Sequence, residues 1–383
     1  MKDKVRYGMV GGDIKAFIGD VHRKAINFDP RAELAAGCFS IEHDLNVATA
    51  EMYSVDSARV YTDYKKMAEE ESAREDCIDF VVITTPNHLH YDVCLSFLNA
   101  GINVVCEKPL CFEIAQAEEL KRLADEKGLL LCVTYTYIGY IMVKVMREMI
   151  LEGKIGDIVS VNAEFAQSWQ LDSLNKSNDV ENSLLWRLNP KYSGISNCVG
   201  DIGTHTEQIV GYVTGLKIKR LLATTNNFGY PLDFNANIIM EFDNGSNGAF
   251  WCSQLAAGRD NGLVVRIYGS NGSLEWEQQS PDYLRYTPKG QATQILSRGN
   301  PYIEQNAASG CRLPAGHPEG FHIGFANTYR NFISSILAVK SGKKPSPENL
   351  DFPNAEDGLN GVKFVHAVVE SANNNSSWIN LHD

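Results

Sequence analysis

From the N-terminus the chain alternates short apolar runs with stretches whose apolar residues recur at helical spacing. "VRYGMV" reads as a first strand, with a helix beginning near Gly19; "ELAAGCFS" reads as a second strand, followed by a helix around "HDLNVATAEMY". "DFVVITTP" counts as the fourth strand, and its β-branched content suits burial on both faces. In "NHLHYDVCLSFLNAG", Leu89, Val93, Phe97 and Leu98 recur at helical spacing and Gly101 stands where such a helix ends. A fifth strand "INVVCEKP", a helix "EIAQAEELKRLADEKG" and a sixth strand "LLLCVTYTY" complete the pattern. Strands alternating with helices predict a doubly wound parallel sheet of α/β class, whose ligands lie beyond the C-terminal ends of its strands.

After about residue 137 the pattern changes. A helix "MVKVMREMILEG" leads to alternating stretches, "IVSVNAEFAQSW", "RLLATTNNF", "NANIIMEFDNGSNGAFWCSQLA" and "LVVRIYGSNGSLEWEQ", with "DNGS" and "SNGS" as hairpin turns. The expected division is therefore residues 1–137, a Rossmann-like nucleotide domain, and residues 138–383, an α/β domain with a large, mostly antiparallel open sheet. One face of such a sheet is available to a partner subunit, so a homo-oligomer, dimer or tetramer, is expected.

Composition narrows the function. A chain of 383 residues exceeds one typical core, and a net charge of -12 argues against a sequence-independent grip on nucleic acid or an anionic membrane. A small neutral metabolite fits better. No run of about twenty apolar residues and no signal-peptide core is visible, so a cytoplasmic location is expected. The nine cysteines form no C-x-x-C pair and read as reduced, mostly buried residues.

Candidate chemistry gathers at the predicted strand ends. "VGGDIKAFIGDVH" offers Gly11, Gly12 and Gly19 for a tight turn, close backbone approach to a pyrophosphate and close helix packing, provided that Asp13 to Phe17 bulge from the turn; an ordinary Gly-rich strand-to-helix turn is the alternative. "TPNHLH" puts Thr85, Pro86 and Asn87 on the ligand edge, where Asn87 either caps the next helix or touches a ribose. "CEKP" puts Glu107 and Lys108 at the equivalent place; a Lys108 ammonium there suits an alkoxide, unless it serves only an ion pair. "GDIGTHTEQ" sets Asp201 and His205 four apart on one helical face, a carboxylate beside a proton acceptor, or else an N-cap aspartate beside a polar face.

Taken in order, "TPNHLH", "CEKPL", the strand-glycine-helix start and the later D-x-x-x-H resemble the Gfo/Idh/MocA family of NAD(P)-dependent oxidoreductases. The resemblance spans nearly the whole chain and implies a Rossmann domain followed by an open-sheet α/β domain. It also implies hydride transfer between a nicotinamide and a secondary carbinol carbon of a sugar, cyclitol or glycoside. His205 would accept the hydroxyl proton, Lys108 would polarise its oxygen, and Asp201 would hold His205 or a neighbouring substrate hydroxyl. The family often follows its last glycine with x-x-H, which "GDVH" at Gly19 to His22 matches, so "DIKAF" becomes a lengthened loop with Lys15 near a phosphate or Phe17 near adenosine. The cofactor contacts so implied are Gly11, Gly12, Phe17, Ile18, Ser40, Thr85, Pro86, Asn87, His90, Glu107 and Lys108. Where the family commonly carries a ribose-binding aspartate, "GCFSIEHD" has Phe39 and Ser40; no arginine follows, and Glu42 and Asp44 repel a 2′-phosphate, which favours NAD over NADP.

The implied substrate contacts are Lys108, Tyr137, Tyr140, Trp186, Arg187, Asp201, His205 and His317, drawn from "YTYIGY", "SLLWRLNP" and "AGHPEGFH". His317, Glu319 and His322 have tempting spacing for a metal, but Pro318 and Gly320 imply a loop with no further ligand, so none is expected. Two other activities share this fold: a transient redox cycle of tightly held NAD giving glycoside hydrolysis or epimerisation, and a non-catalytic nucleotide- and sugar-binding regulator.

Overall fold

β1 (Val5–Gly11) is buried along most of its length because the sheet it starts is covered on both sides. It pairs in parallel with β2 (Ala32–Cys38) and β3 (Phe80–Thr84), and β4 (Asn103–Cys106) and β5 (Leu131–Val133) extend the sheet in the order β2-β1-β3-β4-β5. The helices between are α1 (Phe17–Ile26), α2 (His43–Met52), α3 (Tyr64–Ser72), α4 (His90–Asn99) and α5 (Ile114–Lys127). Strand order reverses at β1, so the crevice beyond β1 and β3 is where this topology binds ligands. The computed structural model describes residues 4–175, 186–303, 307 and 309–381.

Among the described residues this sheet has five strands, where the sequence pattern counted six. Between α2 and α3 a strand is reduced to one parallel bridge, Gly37 to Val60, because Asp56 caps the tight turn Ser57–Arg59 and Asp63 caps α3. Too little extended chain remains to pair. α1 likewise starts at Phe17 rather than near Gly19, since the Ala16 amide bonds the Asp13 carbonyl at 2.8 Å and closes the loop early.

The second unit comprises residues 140–320 and 360–383. Its first elements are α6 (Ile141–Leu151), β6 (Ile158–Ala166) and α7 (Thr204–Thr214). They are followed by β7 (Ile218–Asn226), β8 (Asn235–Phe242), β9 (Asn247–Ser253), β10 (Gly262–Gly269), β11 (Gly272–Glu277), β12 (Tyr283–Pro288) and β13 (Gln294–Ser297). With β14 (Ile379–Asn380) the described strands form a nine-stranded sheet in the order β13-β12-β11-β10-β6-β9-β8-β7-β14, antiparallel except for β6 with β9. β8 shows the alternation plainly: Ala236, Ile238, Met240 and Phe242 are buried, while Asn237 and Ile239 face outward. The β8–β9 and β10–β11 hairpins close at "DNGS" and "SNGS", with Gly245 at φ +84°.

The first unit joins residues 1–139 to 321–359, so the chain passes back into it after β13 and before β14. The returning helix α8 (Phe321–Lys340) packs Phe325, Tyr329, Phe332, Ile333 and Ile336 into one core with Tyr7, Phe80 and Val82. α9 (Ala355–Asn373) begins there and ends in the second unit, where Phe364 packs 6.2 Å from Phe250 of β9. Sequence drew one boundary at 137/138; an amphipathic helix shows that it has a buried face, not which sheet buries it.

Candidate active site

The glycine turn is built for close approach. Gly11 and Gly12 sit at φ +80° and +76°, in the left-handed region, and a Cβ on Gly12 would lie 2.9 Å from Thr84 Oγ1. A Cβ on Gly19 would lie 2.2 Å from Gly12 Cα, so α1 rests directly on the turn. The inserted residues form a short bend: Asp13 Oδ1 accepts the Lys15 amide at 2.9 Å, and Thr49 Oγ1 accepts the Ile14 amide at 3.2 Å. Phe17 is 76% exposed at the start of α1, and Ile18 packs partly against the core. At the end of β2, Asn46 Oδ1 accepts the Phe39 amide, and Ser40 Oγ accepts the Glu42 amide at 3.3 Å. Ile41, which sequence reasoning passed over, is 99% exposed there; its one signal was an apolar residue in a polar turn.

Beyond β3, Thr85 and Pro86 lead into a tight turn at Asn87–Leu89. The His90 ring is fully buried, with Nδ1 2.7 Å from the Pro109 carbonyl and Nε2 3.0 Å from that of Thr85, so it ties the β3 turn to the β4 turn. Burial holds its pKa below the ordinary histidine value against the pull of those carbonyls. Beyond β4 the Lys108–Pro109 peptide is cis and Lys108 is partly exposed. The Glu107 carboxylate turns inward, although sequence placed it on a cofactor: Oε1 meets His22 Nε2 at 2.8 Å and the Thr134 hydroxyl at 2.5 Å, and Oε2 accepts the Lys108 amide at 3.2 Å. Burial works to raise its pKa, but His22, Lys108 and Thr134 outweigh burial and hold it down to about 2. His22 and His90 therefore act within the protein, through polar contacts on both ring nitrogens.

In the second unit Asp201 lies in a π-turn, Val199–Gly203, that runs into α7. Its Oδ1 pairs with Arg187 at 3.1 Å and its Oδ2 accepts from Gln254 Nε2 at 2.9 Å. His205, in the first turn of α7, is 7% exposed with its ring 5.9 Å from that of Phe165 on β6. The stretch "SGISNCVGD" is pinned from beneath by Asp233, whose Oδ1 accepts from Ser196 Oγ and the Asn197 amide and whose Oδ2 accepts the Val199 amide. Asn197 Nδ2 in turn donates to Gln254 Oε1 at 2.8 Å and Gln170 Oε1 at 2.9 Å. Gln170, Asn197, Asp233 and Gln254 escaped sequence reasoning because isolated amides and a loop aspartate carry no spacing signal.

Arg187 also lies over the Trp169 ring at 5.5 Å, an aromatic face that sequence reasoning did not single out. The Trp186 side chain lies outside the described residues. Tyr137 is buried in the turn Thr136–Gly139; Tyr140 is buried with its ring 5.6 Å from Trp276, and burial pushes its hydroxyl up to about 12. His317 is exposed, and its carbonyl accepts from Arg298. Glu319 is held by Arg298 at 3.3 Å and by the Arg312 and Leu313 amides at 2.6 Å each.

Residues 5–135 match the model of an oxidoreductase family with an NAD-binding Rossmann fold, and residues 143–275 match the GFO/IDH/MocA C-terminal domain. The chain is 35% identical over 380 residues to the uncharacterized oxidoreductase YfiI of Bacillus subtilis, covering 98% of this chain and 96% of that one. It is 26% identical over 409 aligned residues to levoglucosan dehydrogenase of Pseudarthrobacter phenanthrenivorans, covering 98% and 97%. It superposes on the crystal structure of an inositol dehydrogenase homolog from Azotobacter vinelandii, complexed with NADH and myo-inositol, with a TM-score of 0.91 and 32% identity over 99% and 98% of the two chains.

Proposed function

The chain belongs to the Gfo/Idh/MocA oxidoreductase family, and from that membership we propose that it is a dehydrogenase acting on a secondary hydroxyl of a sugar, cyclitol or glycoside. The observation that carries the reading is the turn at Gly11 and Gly12, with Gly19 against it, whose left-handed φ values and helix-on-turn packing leave no room for a Cβ and suit the tight turn of a dinucleotide site. A bound nicotinamide dinucleotide would supply the hydride acceptor. Gly11, Gly12, Thr85, Pro86 and Asn87 would hold it through main chain and short side chains, with Phe17, Ile18 and the exposed Ile41 giving apolar contact. Lys108 stabilises the substrate alkoxide, His205 accepts the hydroxyl proton, and Asp201 orients His205 or a second hydroxyl. Arg187 lines the substrate, and so do Tyr137 and His317.

NAD is preferred over NADP. Ser40 Oγ already accepts the Glu42 amide, and the exposed Glu42 and Asp44 oppose a 2′-phosphate. The same reading sets the protein in the cytoplasm, where its nine free cysteines stay reduced. No described helix is long and apolar enough to cross a membrane.

The outward face of the nine-stranded sheet supports a homo-oligomer. Ile239, Tyr268 and Ile295 are each at least 42% exposed on it, and its charges are already paired: Arg266 with Glu275 at 2.9 Å, Arg220 with Glu241 at 2.6 Å. Sedimentation should give a dimer or tetramer, and a monomer throughout would refute that part. The central test is the near-ultraviolet absorbance of NADH on mixing the protein with NAD or NADP and a panel of inositols, aldoses, anhydrosugars and glycosides. A rise with NAD and one polyol class is expected; no rise, with no polyol consumed, would overturn the proposal.

A further inference from the structure

Glu107 precedes Lys108 in the chain and His22 contacts Glu107, yet the chemistry above gives them no task. Their contact is the middle of a buried chain drawn from four places. The Tyr329 hydroxyl on α8 meets His22 Nδ1 on α1, His22 Nε2 meets Glu107 Oε1 beyond β4 at 2.8 Å, and the Thr134 hydroxyl beyond β5 joins the same oxygen at 2.5 Å. His22 and Tyr329 are essentially inaccessible and Glu107 is nearly so.

The proton positions follow from the partners. Burial pushes the Tyr329 phenol well above its usual pKa, so its hydroxyl stays protonated beside His22 Nδ1, and the Glu107 carboxylate, which can only accept, takes the Nε2–H of the ring. Besides His22, Lys108 and Thr134, the groups facing this carboxylate are Cys106, Cys132, His90 and Tyr329. With two donors on Oε1, the carboxylate is held against rotation and Oε2 stays aimed at the Lys108 amide. Stability alone does not require such an arrangement, since well-packed apolar residues replace a buried polar pair without loss in many folds.

We propose that Tyr329, His22, Thr134 and Glu107 form a positioning chain that fixes the peptide from which Lys108 projects, and so sets where its ammonium meets the substrate oxygen. The inference rests on the hydride-transfer reading, and two measurements keep the two separable. The first needs no turnover. In the intact protein, proton NMR should show an exchange-protected imidazole N–H resonance downfield of the amides, moving upfield in Glu107→Gln and vanishing in His22→Phe.

The second is steady-state oxidation of whichever polyol the panel identifies, with NAD. Glu107→Gln keeps the side chain's shape but turns an amide toward the Lys108 N–H, and kcat should fall on the order of 10²-fold while both KM values change less than about 3-fold. Thr134→Val, a milder change, should lower kcat roughly 10-fold, with Thr134→Ser restoring it. Absence of the resonance from folded protein overturns the proposal. So does unchanged kcat in both Glu107→Gln and Thr134→Val, and so does a loss in which kcat, KM and melting temperature fall together without rescue by serine. A resonance present in a protein that oxidises no polyol refutes the hydride-transfer reading, and the positioning role falls with it while the hydrogen-bonded chain stands.

Discussion

Gly19→Ala tests the dinucleotide turn where its geometry is least forgiving. The added methyl would lie 2.2 Å from Gly12 Cα and 3.0 Å from the Gly12 carbonyl atoms, whereas ordinary contact begins at 3.4 Å, so α1 must retreat from the turn by more than an ångström. The obstacle is backbone on both sides, and no side chain can swing away. Overpacking of this kind costs about 1–3 kcal/mol. If the strain is relieved by pulling the helix N-terminus away from the diphosphate site, the same energy appears as roughly 5- to 150-fold weaker dinucleotide binding. NADH fluorescence titration and thermal unfolding read the two quantities separately. Gly211→Ala in α7 is the internal control. A methyl there meets only the Leu216 carbonyl, at 3.9 Å. It should leave NADH binding alone and stabilise the protein by about 0.4–1 kcal/mol. Gly19→Ala that binds NADH within twofold of the parent and melts at the same temperature would refute the close approach and the role assigned to this turn.

Three further outcomes are expected. Glu107 titrates near 2 when folded and at 4.5 as an ordinary glutamate, so its stabilisation is fully present above pH 4.5 and disappears as pH falls toward 2. That contribution is about 3 kcal/mol at neutral pH, and urea unfolding on stepwise acidification should lose it in the parent but not in Glu107→Gln; parallel loss in both would contradict the assignment. Glu71 is fully buried against Arg59 and accepts from Tyr61 at 2.9 Å, so Glu71→Ala strands a guanidinium that retains only Asp76 at 3.2 Å. A loss of about 3 kcal/mol is expected in urea unfolding, and a loss under about 1 kcal/mol would mean water replaces the carboxylate. Gln254→Leu removes the donor on Asp201 Oδ2 and should lower kcat/KM by roughly 10- to 100-fold with little change in NADH affinity; equal losses in both would point to general disorder.

The legible parts of the chain were those with a local period or a local constraint. β3 and β4 announced themselves as apolar runs, the two hairpins as Asn-Gly turns, and Gly11, Gly12 and Gly19 as a tight strand-to-helix turn despite the inserted residues. What failed was long-range. A six-strand count gave way to five because Asp56 and Asp63 cap turns on either side of Val60, and the pattern there looked the same as a short strand. The return of α8 to the first sheet, and the partnership of Tyr329 with His22 across 307 residues, depend on packing that no window along the chain contains. Glu107 was read as cofactor-facing since its neighbour Lys108 lies at the ligand edge. Its carboxylate meets His22 and Thr134, 85 and 27 residues away in the chain, and no local pattern carries such partners.

Glu107 and Asp233 show why two buried carboxylates of this fold behave in opposite ways while doing related work. Burial raises the pKa of both. Glu107 has an imidazole and a neighbouring ammonium in its reach, and these outweigh burial. Asp233 has only the Ser196 hydroxyl and the Asn197 and Val199 amides, neutral donors that offset part of the cost and leave its pKa raised. Yet each accepts a main-chain N–H from the segment that carries a proposed catalytic residue: Lys108 itself in the first unit, and Asn197 and Val199 leading to Asp201 in the second. A buried acceptor that holds backbone fixes a side chain's root without competing for its charged tip. In both units a buried carboxylate therefore holds the backbone of a segment that carries a proposed catalytic residue, and substitutions there should alter turnover before they alter binding.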